Sequence, residues 1–191
     1  MKKLDRLDKT ILTLSIMIVS LLLGMLTSQL ILYRKVNMPE SEYSVYDYRT
    51  AFYMLQDDYE YIPPSQQKDK KYYRETIEDL ISLGPYLYFE VGMNGHDGAS
   101  LVGLRTIIMN KNITDHEQYC VAFTHEVMHT KKFHGYEPYI IFETFKFLYE
   151  SENEYLHNAG VRYGLDMLYG YYDGEYDCPG YIINYLTKEI L

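Results

Sequence analysis

Two histidines four residues apart, His125 and His129, enclose Glu126 in the run His-Glu-Val-Met-His. On a helix, positions i and i+4 share a face one turn apart. Both imidazoles can then take adjacent corners of a tetrahedral Zn²⁺ site, with Glu126 placed to work on a metal-bound water rather than on the metal. The motif ends an apolar run, residues 119–128, which suits a buried helix. With six histidines in 191 residues, an accidental match has odds on the order of one in a hundred. The flanks therefore decide: they must supply a helix, a third ligand and a cleft.

Upstream, Thr114 followed three residues later by Glu117 is a capping box, and Asp115 adds negative charge to the first turn. Lys131 and Lys132 suit the opposite end, where cations oppose the dipole. This predicts a helix over 115–132. Residues 86–91 and 101–109 have strand composition, and Gly92, Gly95 and Gly98 between them read as a hairpin connection. That Gly-rich loop matches no phosphate-binding pattern. His96 and Asp97 within it are candidate cleft residues, and strand 101–109 is the candidate edge for an extended substrate.

Elsewhere the apolar spacing is helical. Val45, Tyr48, Phe52 and Leu55 mark a helix over 43–60, which Pro63 and Pro64 end. A second runs over 65–83 and stops at Gly84-Pro85. These two read as a stalk or as packing helices. Further helices are expected from Pro138, over 153–172 and over 181–190, with a turn region at 173–180. The expected fold class is α+β, mostly helical, with a small sheet.

Residues 11–33 carry no charge and are flanked by Lys2, Lys3, Arg6 and Lys9 before and by Arg34 and Lys35 after. At 1.5 Å per residue such a run reaches roughly 34 Å, enough to span a bilayer core. No small-residue cleavage site follows it, so a retained anchor is favoured over a signal peptide and a secreted product. The basic excess before the span puts residues 1–10 in the cytoplasm and the rest outside it. The expected organisation is thus a cytoplasmic N-terminus (1–10), a single transmembrane helix (11–33), a helical stalk or packing region (34–84) and a domain over 85–191. Residues 34–191 hold 14 basic and 25 acidic side chains, a net of −11, which argues against nucleic acid as a partner. Cys120 and Cys178 stand too far apart for a C-x-x-C site; they could pair, or Cys120 could be a buried free thiol.

A strand running into a capped helix that bears H-E-x-x-H resembles the core layout of the zincin metallopeptidases. In the metzincin branch, a glycine and a third histidine follow three and six residues after the second histidine. Here those positions are Lys132 and Gly135, and His134 falls one short. In the gluzincin branch the third ligand is a glutamate on a following helix. Glu143, Lys146 and Glu150 form one stripe with ion-pair spacing, the pattern of a solvated face, although Glu150 and Glu154 also suit a gluzincin spacing. Glu137 stands before Pro138, outside that stripe, where an acid is favourable against the helix dipole whatever its role.

Residues 125–160 are similar to a little-characterised family of bacterial membrane-anchored zincins. Its H-E-x-x-H is followed by an E-A-N-F-type helix and a Tyr-rich segment with a small-residue–Gly pair. The matching residues are Glu137-Pro138-Tyr139-Ile140, Tyr155 and Ala159-Gly160, without the Ala-Asn pair. The resemblance implies Zn²⁺ held by His125, His129 and Glu137, with Glu143, Glu150 and Glu154 as alternatives. It also implies Glu126 as general base and hydrolysis of a peptide or protein substrate. Tyr136, His157 and Tyr163 are the candidates for steadying an oxyanion. The competing expectation is a non-catalytic tethered scaffold whose zinc is a structural clamp that recruits His134 as a fourth ligand.

Overall fold

In the computed structural model the described residues are 15, 17–20, 44–132, 135–173 and 179–190. The chain divides into two units, 1–40 and 41–191. In the first, residues 15 and 17–20 are helical and exposed. The expected anchor, 11–33, falls mostly outside the described residues, as does the segment before it. Among the described residues no helix is long and apolar enough to cross a membrane.

The second unit begins with α1 (Val45–Asp58), whose Ser44 and Asp47 cap each other's backbone reciprocally. α2 (Lys70–Ile81) is shorter than the 65–83 expected. The prolines start a turn in which Gln66 N–H donates to Pro63 O, and the helix begins only where Asp69 caps Tyr72 N–H at 2.7 Å. Of the two roles open to these helices, both pack. Tyr48 and Leu55 of α1 join Phe145, Val161, Leu168, Ile182, Ile183 and Leu186 in one apolar cluster. Tyr73 and Ile77 of α2 join Ile107, Met109, Phe123, Val127, Ile140 and Leu156 in another. Residues 44–84 therefore belong to the same unit as the motif-bearing helix, and no boundary falls at 84.

The sheet departs from the expected hairpin. Strands β1 (Leu87–Val91), β2 (Gly98–Leu101) and β3 (Thr106–Asn110) lie in the order β1-β3-β2. β1 is parallel to β3, with Phe89 opposite Ile108, and β2 is antiparallel to it, with Leu101 opposite Thr106. The expected strand 101–109 is broken by a 3₁₀ turn (Val102–Leu104) and by Arg105, whose φ of 47° is left-handed and reverses the chain. The hairpin is therefore β2–β3. The loop before β2 is clamped by buried Asn110, whose Nδ2 donates to Met93 O and His96 O at 2.9 Å each. β3 is the central strand; its buried positions explain its apolar composition.

α3 (His116–Lys132) lies on the sheet's inner face, burying Cys120, Phe123 and Val127. Its cap is Asp115, which accepts from Glu117 N–H and Gln118 N–H at 3.0 and 3.1 Å, helped by Gln67 at His116 N–H. The expected Thr114–Glu117 box is not how the helix starts, because the Glu117 side chain is drawn inward to accept from Tyr59 Oη at 2.7 Å. Cys120 is a buried free thiol; Cys178 lies outside the described residues. α4 (Glu137–Tyr149), α5 (Glu154–Asp173) and α6 (Gly180–Ile190) complete the unit. α4 packs on α3 and on α5. Gly160 permits the second contact: a Cβ there would lie 2.6 Å from Tyr149 N and 2.8 Å from the Leu148 carbonyl carbon.

Candidate metal centre

His125 and His129 leave α3 on one face, one turn apart, and their rings meet edge to face with centroids 4.8 Å apart. Their Nε2 atoms are 3.1 Å from each other. Pro138 in the first turn of α4 starts that helix directly after Gly135 and Tyr136, so Glu137 stands at its mouth. The Glu137 carboxylate lies 3.1 Å from His125 Nε2 and 3.2 Å from His129 Nε2 through its two oxygens.

These three contacts cannot all be hydrogen bonds, because a neutral Nε2 either donates or accepts but does not do both. A shared cation satisfies all three. The spacing also fits: ligand bonds of about 2.0–2.1 Å in a tetrahedron put donor atoms roughly 3.3 Å apart, close to the 3.1 and 3.2 Å found here. Two imidazoles and one carboxylate form the donor set of open, water-accessible zinc sites. Burial lowers the His125 pKa against the opposing pull of Glu137, and His129 adds to the lowering. This favours the neutral imidazole that binds metal.

Glu126 lies against β2, with His129 and Glu137 near enough to act on its charge. It is buried, with 8% of its surface exposed. Burial raises its carboxyl above the usual carboxylate range, while a hydrogen bond from the Ser100 side chain and the nearby His129 pull it down. Gly98 makes room for it: a Cβ at that position would stand 2.9 Å from Glu126 Cγ and 3.1 Å from Met109 Sδ. A cleft of about 580 Å³ runs past His125 and Glu126, floored by Gly98 and walled by Ile141 of α4 and Arg162, Tyr163 and Asp166 of α5.

The other candidates fall elsewhere. Glu143 pairs with Lys132 at the end of α3, Glu150 accepts from Tyr185 Oη, and Glu154 opens α5 exposed. None of the three joins the group formed by His125, His129 and Glu137. His134 lies outside the described residues. Asp97 lines the cleft and accepts from Gln118 Nε2 at 2.8 Å, whereas His96 is exposed and outside the lining. Of the oxyanion candidates, Tyr163 lines the cleft. Tyr136 caps α4, and His157 Nδ1 is engaged with Tyr149 O at 2.6 Å.

Two features of the site have no signature in the sequence. One is the β2 cradle of Gly98 and Ser100, which depends on sheet register. The other is the ionic cluster behind the cleft, where Arg162 bridges Asp115 and, at 3.7 Å, Glu117. No family model matches the chain, and neither a known protein nor a solved structure is significantly similar to it.

Proposed function

We propose that the chain is a zinc-dependent metallopeptidase of the zincin type, anchored by residues 11–33 with its second unit outside the cytoplasm. The observation that carries this reading is the convergence of His125, His129 and Glu137, whose ligand atoms all lie within 4.8 Å of one another, beside a buried Glu126 on the wall of a cleft. His125, His129 and Glu137 would hold the ion. Bound Zn²⁺ supplies Lewis-acid polarisation of a peptide carbonyl and a lowered pKa for water. Glu126 takes the proton of the attacking water and passes it to the leaving amine. Burial raises its pKa, which makes it a better proton acceptor than an exposed carboxylate.

The extended substrate is held by β2 rather than by the stretch 101–109, because β3 is paired on both sides whereas β2 is paired on one. Tyr163, which lines the cleft, would be the oxyanion donor among the candidates. The test is the metal content of the purified full chain together with hydrolysis of a quenched peptide library. The expected result is about one zinc per chain, with Glu126→Gln keeping the metal and losing hydrolysis. Metal-free protein after preparation in zinc would overturn the proposal.

A further inference from the structure

Of the three residues that face one another at the metal centre, Glu137 is the least enclosed. Its side chain is 62% exposed, against 20% for His125 and 7% for His129. Side-chain packing therefore does little to hold it, and its place beside the imidazoles depends on the backbone of the first turn of α4. That turn is short of ordinary fastenings. Tyr136, at the cap position, gives the helix start no side-chain hydrogen bond, and Pro138 has no N–H to offer. Within the turn, Tyr136 O accepts from both Tyr139 N–H and Ile140 N–H at 3.2 Å. Two further fastenings reach α4 from other elements. Lys132, at the end of α3, pairs with Glu143 in the second turn. Tyr181, in the first turn of α6, donates its hydroxyl proton to Pro138 O, the carbonyl next to Glu137.

We propose that Tyr181 is a positioning residue for the metal site: through Pro138 O it fixes the turn that carries Glu137, and so sets how tightly the site binds a divalent cation. This rests on the metal reading of His125, His129 and Glu137. The Tyr181 ring meets Phe142 edge to face, with centroids 5.2 Å apart. Phe142 follows Pro138 by four residues and shares its side of the helix, so ring and hydroxyl grip one side of α4 together. The base of this clamp is firm, because Ile182, Ile183 and Leu186 beside it are buried in one cluster with Tyr48 and Leu55 of α1. Groups that orient a metal ligand from outside the coordination sphere typically change affinity by roughly 10–100-fold when removed. Tyr185, one turn further along α6, supplies the contrast. Its ring also meets Phe142 edge to face, at 5.5 Å, but its hydroxyl goes to Glu150 at the far end of α4.

The full chain and its Tyr181→Phe and Tyr185→Phe variants are titrated with zinc against a chromophoric chelator, then loaded with cobalt to record the visible spectrum. Each substitution keeps the ring and removes one hydroxyl, so the two lose a hydrogen bond of the same kind. Tyr181→Phe should bind zinc about tenfold more weakly, the low end for loss of an outer partner, and should shift the cobalt bands. Tyr185→Phe should match the parent in both. In a Glu137→Ala background, Tyr181→Phe should cost nothing further, because no carboxylate is left to place. Parental zinc affinity in Tyr181→Phe overturns the positioning role and leaves the three-residue site standing. An equal loss in both tyrosine variants, or a further tenfold loss in the Glu137→Ala background, marks a general loosening of α6 and also overturns it. A parent chain that takes up no zinc overturns the metal reading and the positioning role together.

Discussion

Gly98 and Glu126 touch so closely that the glycine has no room for a side chain: a Cβ would come within 2.9 Å of Glu126 Cγ and 3.2 Å of Oε1. Ser100, on the same inner face of β2, hydrogen-bonds the same carboxylate. The general base of the proposed reaction is thus positioned by strand residues 26 and 28 positions upstream. Gly98→Ala should displace Glu126 without touching the metal ligands. The expected outcome is a fall of about 10²-fold in kcat, the scale of an ångström-level misplacement, with zinc content unchanged. Ser100→Ala should lose activity in the same sense, and Ser100→Thr, which keeps the hydroxyl, should recover most of it. Steady-state kinetics beside metal analysis checks both.

Glu137 and Glu143 offer a second comparison. Glu137 faces both histidines, whereas Glu143 is engaged with Lys132. Glu137→Gln should weaken zinc affinity by at least roughly 10–100-fold, which is what loss of an outer partner of a ligand already costs. Glu143→Gln should leave zinc affinity unchanged. Competition against a fluorescent zinc chelator measures both.

Arg162 carries a pH prediction. Burial of Asp115 opposes ionisation, but hydrogen bonds from Arg162 and from Gln118 N–H outweigh it and hold the carboxyl below its ordinary value. A lowered carboxylate pKa contributes stability that is fully present above the unfolded value, near 3.8, and is lost as pH falls through the folded one. Arg162→Leu strands Asp115 and the buried Glu117 without their cation. The variant should lose roughly 1–3 kcal/mol, the cost of leaving part-buried acceptors without their donor. Its acid unfolding should begin at higher pH than that of the parent, because Asp115 no longer resists protonation. Thermal melts from pH 7 down to pH 3 test this.

Gly160→Ala tests the contact between α4 and α5. Its Cβ would press on the Tyr149 and Leu148 backbone, which cannot swing aside as a side chain would. The expected cost is about 1–3 kcal/mol, read as a lower urea midpoint.

Much of the fold was legible because its signals are local. The apolar periodicity marked the helices, the prolines and glycines marked their ends, and the spacing of His125 and His129 marked one helical face. The sheet was misread for an equally local reason: residues 101–109 look like one apolar strand, and nothing in their composition announces the left-handed Arg105 that splits them. The Thr114–Glu117 box was a genuine local pattern that lost to a tertiary partner, Tyr59, 58 residues away.

The sequence by itself determined that a helix would carry two imidazoles on one face with a carboxylate beside them, since four-residue spacing on a helix leaves no other arrangement. Which glutamate among four comes to meet those imidazoles was decided only by tertiary structure. Glu137, Glu143, Glu150 and Glu154 are chemically alike, and their distances to His125 and His129 depend on how α4 leaves the end of α3. Packing turns the mouth of α4 toward the histidines, sends Glu143 to Lys132 and Glu150 to Tyr185, and brings Gly98 and Ser100 beneath Glu126.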